Sequence, residues 1–424
     1  MKKHMYGNQP SRTDGRRERL VNATAELLSF DTQNPPGETR PALEWIHERV
    51  SSFDVETEWI ESDPSKPNLV VTVPGESDRT LLYVGHLDTV PFDREAWSVD
   101  PFGEIHEDRI YGRGATDMKG AVAVMLETLR AFATADDPPP VTLQFAFVSD
   151  EEAGGDDGID AVLETGAIDA DAAVVGETTC VGDRSSIAVA DKGWIWLTLE
   201  ATGRAAHGSR PMNGSNAIDY LYSVIDTCRQ SLTSRRLEYD EAVERILEDS
   251  RTYYGSCPCE AGTHLTELFE YPTVNLGMLD GGNTVNSVPQ TATAELDVRV
   301  TPGASTEAVL DQLRACIDAR ENVSIREVSW TEGTYVDPSA PIVEAVTAAA
   351  EDVLLNRPLA RCATGGSDAK KLRAAGVPAV ECAVGSDTAH VVDEYVPIEA
   401  LERTAEWYDR IPALFGKDIG DGGG

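Results

Sequence analysis

The sequence predicts an α/β domain with a mostly parallel sheet, interrupted by a smaller α+β domain. Three observations carry that prediction. Strand-length apolar runs alternate with helical runs up to about residue 190 and again after about residue 335, the order that builds a parallel sheet with helices on both faces. Histidine and acidic residues follow those runs directly, at the carboxyl ends where open α/β sheets gather functional groups. Between the two stretches the order becomes strand-helix-strand-strand-helix-strand, as in a ferredoxin-like sandwich. The expected division is 1–190 and 336–424 for the α/β domain and 191–335 for the insertion.

The elements follow in order. Glu18 to Phe30 reads as a helix behind a loose, polar start, Met1 to Arg19. A Pro-rich turn (Asn34-Pro35-Pro36-Gly37) separates it from a second helix through Trp45 and Val50. Short strands are expected at Val55 to Ile60 and Asn68 to Val73. Leu81 to Gly85 is an apolar run suited to a strand buried on both faces. His86 and Asp88 stand at its exit and point the same way in extended chain. Glycines around Arg113 let the backbone turn sharply, and Asp117 takes the N-cap position of a helical run, Met118 to Ala133. The strand Val141 to Val148 leads into Asp150-Glu151-Glu152, and the strand Ala172 to Val175 into Gly176-Glu177.

In the insertion, Trp194 to Gly203 alternates as a half-buried strand does. A helix through Ala217, Leu221 and Val224, strands at Thr273 to Leu279 and Thr291 to Val300, and a helix from Thr306 to Ile317 complete it. Residues 229–271 are extra material, charged and helical at first, then loop-like around Cys257. The α/β pattern resumes with the helix Ala340 to Leu355, the glycine-rich loop Ala363 to Asp368, and the strand Val377 to Ala383. That strand's exit carries Ala389-His390-Val391-Val392-Asp393-Glu394, and the helix Ile398 to Ile411 closes the domain.

The chain has 424 residues, enough for two sizeable cores, and carries 73 acidic against 36 basic residues, a net charge of −37. This balance leaves no broad basic surface to meet phosphates and argues against nucleic acid as a partner. The acids are spread along the whole chain, which fits a surface adapted to a high-salt cytoplasm where self-repulsion is screened. No apolar stretch reaches the length of a membrane span, and the polar start lacks the apolar centre of a secretory signal. A soluble, cytoplasmic protein is expected. Seven scattered cysteines fit reduced thiols. Cys257 and Cys259, with His264 nearby, are the one close pair, and no second pair completes a zinc set.

The candidate metal ligands are His86, Asp117, Glu152, Glu177 and His390. This mixture of oxygen and imidazole suits zinc, or cobalt or manganese in its place. Two divalent ions would be balanced by the three carboxylates and a bridging hydroxide. Five residues serve two ions only if one carboxylate is shared, and Asp117 lies between the two histidines in the chain. Glu151 beside Glu152 is the second key pair, because a hydrolase needs a base to move the water's proton. Neighbouring residues in a turn point different ways, so one can bind metal while the other moves protons. Asp88 is a candidate for holding the His86 ring or the site around it.

His86-Leu87-Asp88-Thr89-Val90-Pro91, Gly112 to Gly120, Asp150-Glu151-Glu152 and Ala389 to Glu394 together resemble, in that order, the motifs of a known family. It is the dinuclear zinc metallopeptidase family of aminoacylase, acetylornithine deacetylase and succinyl-diaminopimelate desuccinylase. The resemblance covers about residues 18–412. It implies a zinc-peptidase-like fold whose insertion is a lid and dimerisation domain. It implies His86 and Glu177 on one ion, Glu152 and His390 on the other, Asp117 bridging, Glu151 as base and Asp88 orienting His86. Gly203 to Pro211 is similar to the family's lid motif, whose histidine, here His207, reaches the substrate carbonyl, often across a dimer. Asn286 and Arg299 match positions that contact substrate, and Gly366 is placed with them. Arginine suits a carboxylate because it binds it bidentately. Ser386 stands where desuccinylases commonly carry asparagine, and Asp191-Lys192-Gly193 lacks the arginine they use near a succinyl group. Asp191-Lys192-Gly193 looks more like the deacetylase branch. Residues 229–271 have no assigned counterpart.

The expected activity is hydrolysis of the amide bond of an N-acyl amino acid by a metal-bridging hydroxide, in a homodimer with two zinc, cobalt or manganese ions. The rival enzyme is a dipeptidase or carboxypeptidase with the same two ions. A non-catalytic metal-dependent binder is opposed by Glu151, since a pure binder needs no base beside its ligands.

Overall fold

The computed structural model describes residues 15–234, 236–256 and 265–417. Cys257, Cys259, His264 and the Gly-rich end of the chain lie outside the described residues. The chain divides into two units. The first comprises residues up to Ala188 with Ser339–Leu359 and Ser367 onward; the second comprises Val189–Pro338 and Ala360–Gly366.

In the first unit the sheet runs Glu56–Ile60, Asn68–Val73, Thr142–Val148, Thr80–His86, Ala172–Val175, Ala379–Glu381, and then the start of Ser186–Asp191 at Ala188. The four from Thr142–Val148 to Ala379–Glu381 are parallel, and the flanking pairs are antiparallel. Thr80–His86 sits in the middle and is buried from Leu81 onward. On one face Leu82 and Val84 pack with Val162, Ala369 and Leu372 from the helices Ala161–Thr165 and Asp368–Ala374. On the other, Tyr83 stacks on Phe145 at 5.2 Å and meets Tyr408 of the helix Ile398–Phe415 at 5.1 Å. Its hydroxyl donates to the Tyr408 carbonyl oxygen at 2.9 Å. Burial on both faces explains the unbroken apolar run. Each such side chain contributes about 1.5–3 kcal/mol.

The helix Lys119–Ala133 lies against this strand just before His86. Only glycine permits the approach at Gly85, because a Cβ there would come within 2.9 Å of Val122 Cγ2 and Met125 Sδ. Two sequence expectations change here. Asp117 is not the N-cap: Met118 occupies that position without a side-chain cap, and the Asp117 carboxylate is taken by histidines instead. The first helix runs Arg16–Leu28, starting two residues early, because Arg16 and Arg19 reach Glu127 of the Lys119–Ala133 helix.

The second unit holds an antiparallel sheet ordered Thr273–Gly281, Thr291–Val300, Gly193–Thr202, Val323–Thr331. The first strand of the unit is therefore central, as the ferredoxin-like order requires. Gly193–Thr202 alternates buried and more exposed positions along its length. Its inward residues Ile195, Leu197, Leu199 and Ala201 pack under the helices Ala217–Leu232 and Thr306–Asp318. Among the described residues no helix is long and apolar enough to cross a membrane.

Candidate metal centre

The site forms beyond the carboxyl ends of the parallel strands of the first unit. His86 ends its strand and is buried, with Nδ1 3.0 Å from the Asp88 carbonyl oxygen. Its Nε2 lies 3.3 Å from Asp117 Oδ1 and 3.5 Å from Glu177 Oε1. His390 Nε2 lies 3.1 Å from Asp117 Oδ2 and 3.2 Å from Glu152 Oε1. Asp117 thus offers one oxygen to each histidine. Two sets of potential donor atoms follow, His86-Asp117-Glu177 and Asp117-Glu152-His390, each gathered within 4.8 Å. Glu151 joins His86 and Glu152 in a third such set.

The turn that carries the two glutamates is held from beneath. Asp150 has φ 65°, in the left-handed region that costs a non-glycine residue energy. Its carboxylate accepts from Lys66 Nζ at 2.5 Å and Asn34 Nδ2 at 2.9 Å. Asp88 accepts the backbone N–H groups of Glu151 and Glu152 on its two oxygens, at 3.1 and 3.0 Å. The Asp88 carboxylate stands 3.6 Å from the His86 ring, so the ring Nδ1–H donates instead to the Asp88 carbonyl oxygen. Asp88 fixes both the histidine and the glutamate turn.

The electrostatics test whether this set fits metal. Hydrogen bonds donated to Asp117, then to Glu152, raise His390 to about 10. Burial opposes charge on His86, yet hydrogen bonds to Asp117 and Glu177 raise it well above the usual histidine value. Burial also favours the neutral Asp117 carboxyl, but hydrogen bonds with His390 and His86 hold it well below the usual range. Burial, then the Asp117 charge, pushes Glu177 up to about 7. Burial pushes Glu151 well above the usual range, with Asp368, Glu177 and Glu152 adding to it. The acids therefore outnumber the cations that the chain itself brings to them. A dication relieves the histidines and the glutamates at once, and the oxygen and imidazole donors suit one.

Sequence reasoning missed the residues that support this set. Glu394 is fully buried and accepts from Arg113 Nη1 at 2.6 Å and from the N–H groups of Gly114, Thr116 and Asp117 at 2.9–3.1 Å. It ties the Asp117 loop to the loop that carries His390, four residues earlier, whose φ of 62° is also left-handed. Its place in the motif with His390 was the available signal. Asn34 donates to both Asp88 and Asp150, 54 and 116 residues away, and nothing in the sequence links it to them.

The remaining candidates, His207, Asn286, Arg299 and Gly366, belong to the second unit. His207 is exposed, with Nδ1 2.8 Å from Ser209 Oγ. Its loop meets Asn286, whose carbonyl oxygen accepts from Gly208 N at 2.6 Å. Arg299 Nε is paired with Asp297 Oδ1 at 2.8 Å, two residues back on the same strand face. Gly366 is exposed in its loop.

Comparison with known proteins shows the family and the fold. The chain is 30% identical to the aminoacylase-1 of Sus scrofa over 366 residues, 84% of each chain. It is 29% identical to a succinyl-diaminopimelate desuccinylase of Ruegeria, covering 92% of this chain and 93% of that one. A metallo-carboxypeptidase from Sulfolobus solfataricus shares the fold, with a TM-score of 0.76 at 20% identity over 94% of this chain and 99% of that one. A dinuclear metal-binding peptidase of Bacillus subtilis shares it with a TM-score of 0.62 at 14% identity, over 96% and 100%. The model of peptidase family M20/M25/M40 matches residues 82–413. The chain belongs to that family and is a metal-dependent hydrolase.

Proposed function

We propose that the protein hydrolyses the amide bond of N-acyl amino acids, as the names of its aminoacylase and desuccinylase relatives suggest. The observation that carries the reading is the position of Glu151: a buried carboxyl next to Glu152, in a turn pinned by Asp88, beside a donor set centred on Asp117. His86 and Glu177 would hold one ion, Glu152 and His390 the other, with Asp117 shared. When bound, two zinc ions (or cobalt or manganese) polarise the scissile carbonyl and make water a better nucleophile. Glu151 takes a proton from the water and returns it to the departing nitrogen. A carboxyl that burial holds above the usual carboxylate range suits both halves of that task. Asp88 keeps the glutamate turn and His86 in register.

The second unit supplies the substrate contacts in this reading. Arg299 meets the free carboxylate, and His207 and Asn286 meet the acyl carbonyl. Gly366 lends open backbone. The unit would also serve as lid and dimer interface, with a homodimer as the working form. The charge of −37 fits a salt-rich cytoplasm. The test is a hydrolysis screen with N-acetyl and N-succinyl amino acids, dipeptides and C-terminally extended peptides, with added zinc or cobalt at molar salt. Turnover of acylated but not free-amine substrates is expected. Preference for dipeptides with a free α-amine would replace this reading with a peptidase.

A further inference from the structure

The segment 229–271 is not used by the proposed activity, yet it makes a specific attachment. Its described part forms the helices Glu241–Gly255 and Leu265–Glu270. The first is capped by Asp240, which accepts from Val243 N, and buries Val243, Ile246, Leu247, Tyr253 and Tyr254. Asp249, Ser250, Tyr253 and Tyr254 share one helix face, being one turn apart. That face grips the stretch 360–362 of the same unit. Asp249 Oδ2 accepts from Ala360 N at 2.9 Å, and Ser250 Oγ accepts from Cys362 N at 2.8 Å. The Tyr254 hydroxyl donates to the Cys362 carbonyl oxygen at 3.1 Å and accepts from Arg361 Nη1 at 3.3 Å. Arg361 is buried, 4.7 Å above the Tyr253 ring.

The grip ends where a loop begins. Thr364, Gly365 and Gly366 are exposed. A Cβ on Gly365 would meet nothing within 4 Å, so packing does not require glycine there. An open backbone free of packing demands, held rigidly at its root, is suited to close approach by a ligand.

We propose that the helix Glu241–Gly255 is a positioning element for the loop Thr364–Gly366, and that Ser250 and Tyr254 set how well this loop receives substrate. The inference rests on the reading that Gly366 contacts substrate. The helix face touches none of the candidate metal ligands through these contacts, so its effect falls on substrate affinity. Ser250→Ala removes the hydroxyl that accepts from the Cys362 N–H, and Tyr254→Phe keeps the ring while removing its hydroxyl.

The experiment compares the full-length, metal-loaded wild type with the double variant Ser250→Ala/Tyr254→Phe on an N-acetyl amino acid. The expected result is a KM raised about 10-fold, with kcat within about twofold and metal content unchanged. Ser250→Thr, which keeps the hydroxyl, should restore most of the affinity beside wild-type Tyr254. Hydrogen exchange without substrate should show lost protection at the Ala360 and Cys362 amides. Unchanged KM with a lowered melting temperature would overturn the proposal and leave the helix a merely structural prop. Loss of metal along with kcat would overturn it too. Should the wild type cleave no acylated amino acid, the proposed activity falls, and the exchange experiment alone decides whether the helix holds the loop.

Discussion

One helix, Lys119–Ala133, joins two buried acidic regions that balance their charge differently. At its middle, Glu127 meets three arginines. Arg19 and Arg130 each bind it through two nitrogens at 2.8–2.9 Å, and Arg16 approaches to 3.5 Å. Burial favours the neutral acid, but those hydrogen bonds outweigh it and lower Glu127 to about 2. Just ahead of the helix, Asp117 meets two histidines, with Glu151, Glu152 and Glu177 beside them. There burial leads, and Glu151 and Glu177 are pushed up. The first region closes its charge with the chain's own cations and needs nothing further. The second leaves acids unbalanced, and that imbalance is what a foreign cation would neutralise.

Removing metal should strike the second region alone, and hardest. A chelator is expected to abolish turnover, with zinc or cobalt restoring it, while the far-ultraviolet circular dichroism of the first unit's helices persists. Full turnover in protein that elemental analysis finds free of metal would erase the contrast between the regions.

Next in size is the proposed base. Glu151→Gln keeps shape but cannot accept a proton at neutral pH. kcat should fall by roughly 10²–10⁴ with metal content near two ions. Glu152→Gln should lose one ion along with activity. Swapped outcomes would swap the roles of the neighbours.

Glu394→Gln sharpens the comparison by leaving every candidate ligand in place. It withdraws one acceptor oxygen from the Asp117 loop and leaves Arg113 without its carboxylate. Metal affinity, titrated calorimetrically, should weaken by about 10–100-fold, the usual cost of losing such support. Unchanged affinity would mean that the loop holds its shape unaided.

The smallest effect on activity is expected at Glu127. Glu127→Gln should destabilise by about 2 kcal/mol, less than a fully enclosed pair, since Arg19 and Arg130 remain 38% and 32% exposed. kcat/KM should stay within about twofold. The folded value of Glu127 lies below its ordinary 4.5, so its contribution is present above that pH and is lost as pH falls toward 2. The variant's melting temperature should therefore depend less on pH across that window than the wild type's does. A wild-type slope in the variant would assign the acid sensitivity to other carboxylates.

The sequence by itself determined the alternation of strands and helices, the ferredoxin-like insertion and the family. Apolar period and strand-end position are local properties, and they mark His86, Asp117, Glu151, Glu152, Glu177 and His390 as candidates. Family membership came the same way, because motif residues keep their order along the chain. How these groups are held depends on contacts between distant parts of the chain. Asp117 has the sequence position of an N-cap because it precedes a helical run, but its oxygens face histidines brought from 31 and 273 residues away in sequence. Asn34, Lys66 and Glu394 act through hydrogen bonds between distant loops, and such contacts leave no period or spacing in the chain. The same holds for Ser250 and Tyr254, which grip backbone more than 100 residues away. Local pattern follows from the geometry of one helix or strand. The charge balance of a buried site depends on which distant side chains share its small volume, and that is set when the sheet assembles.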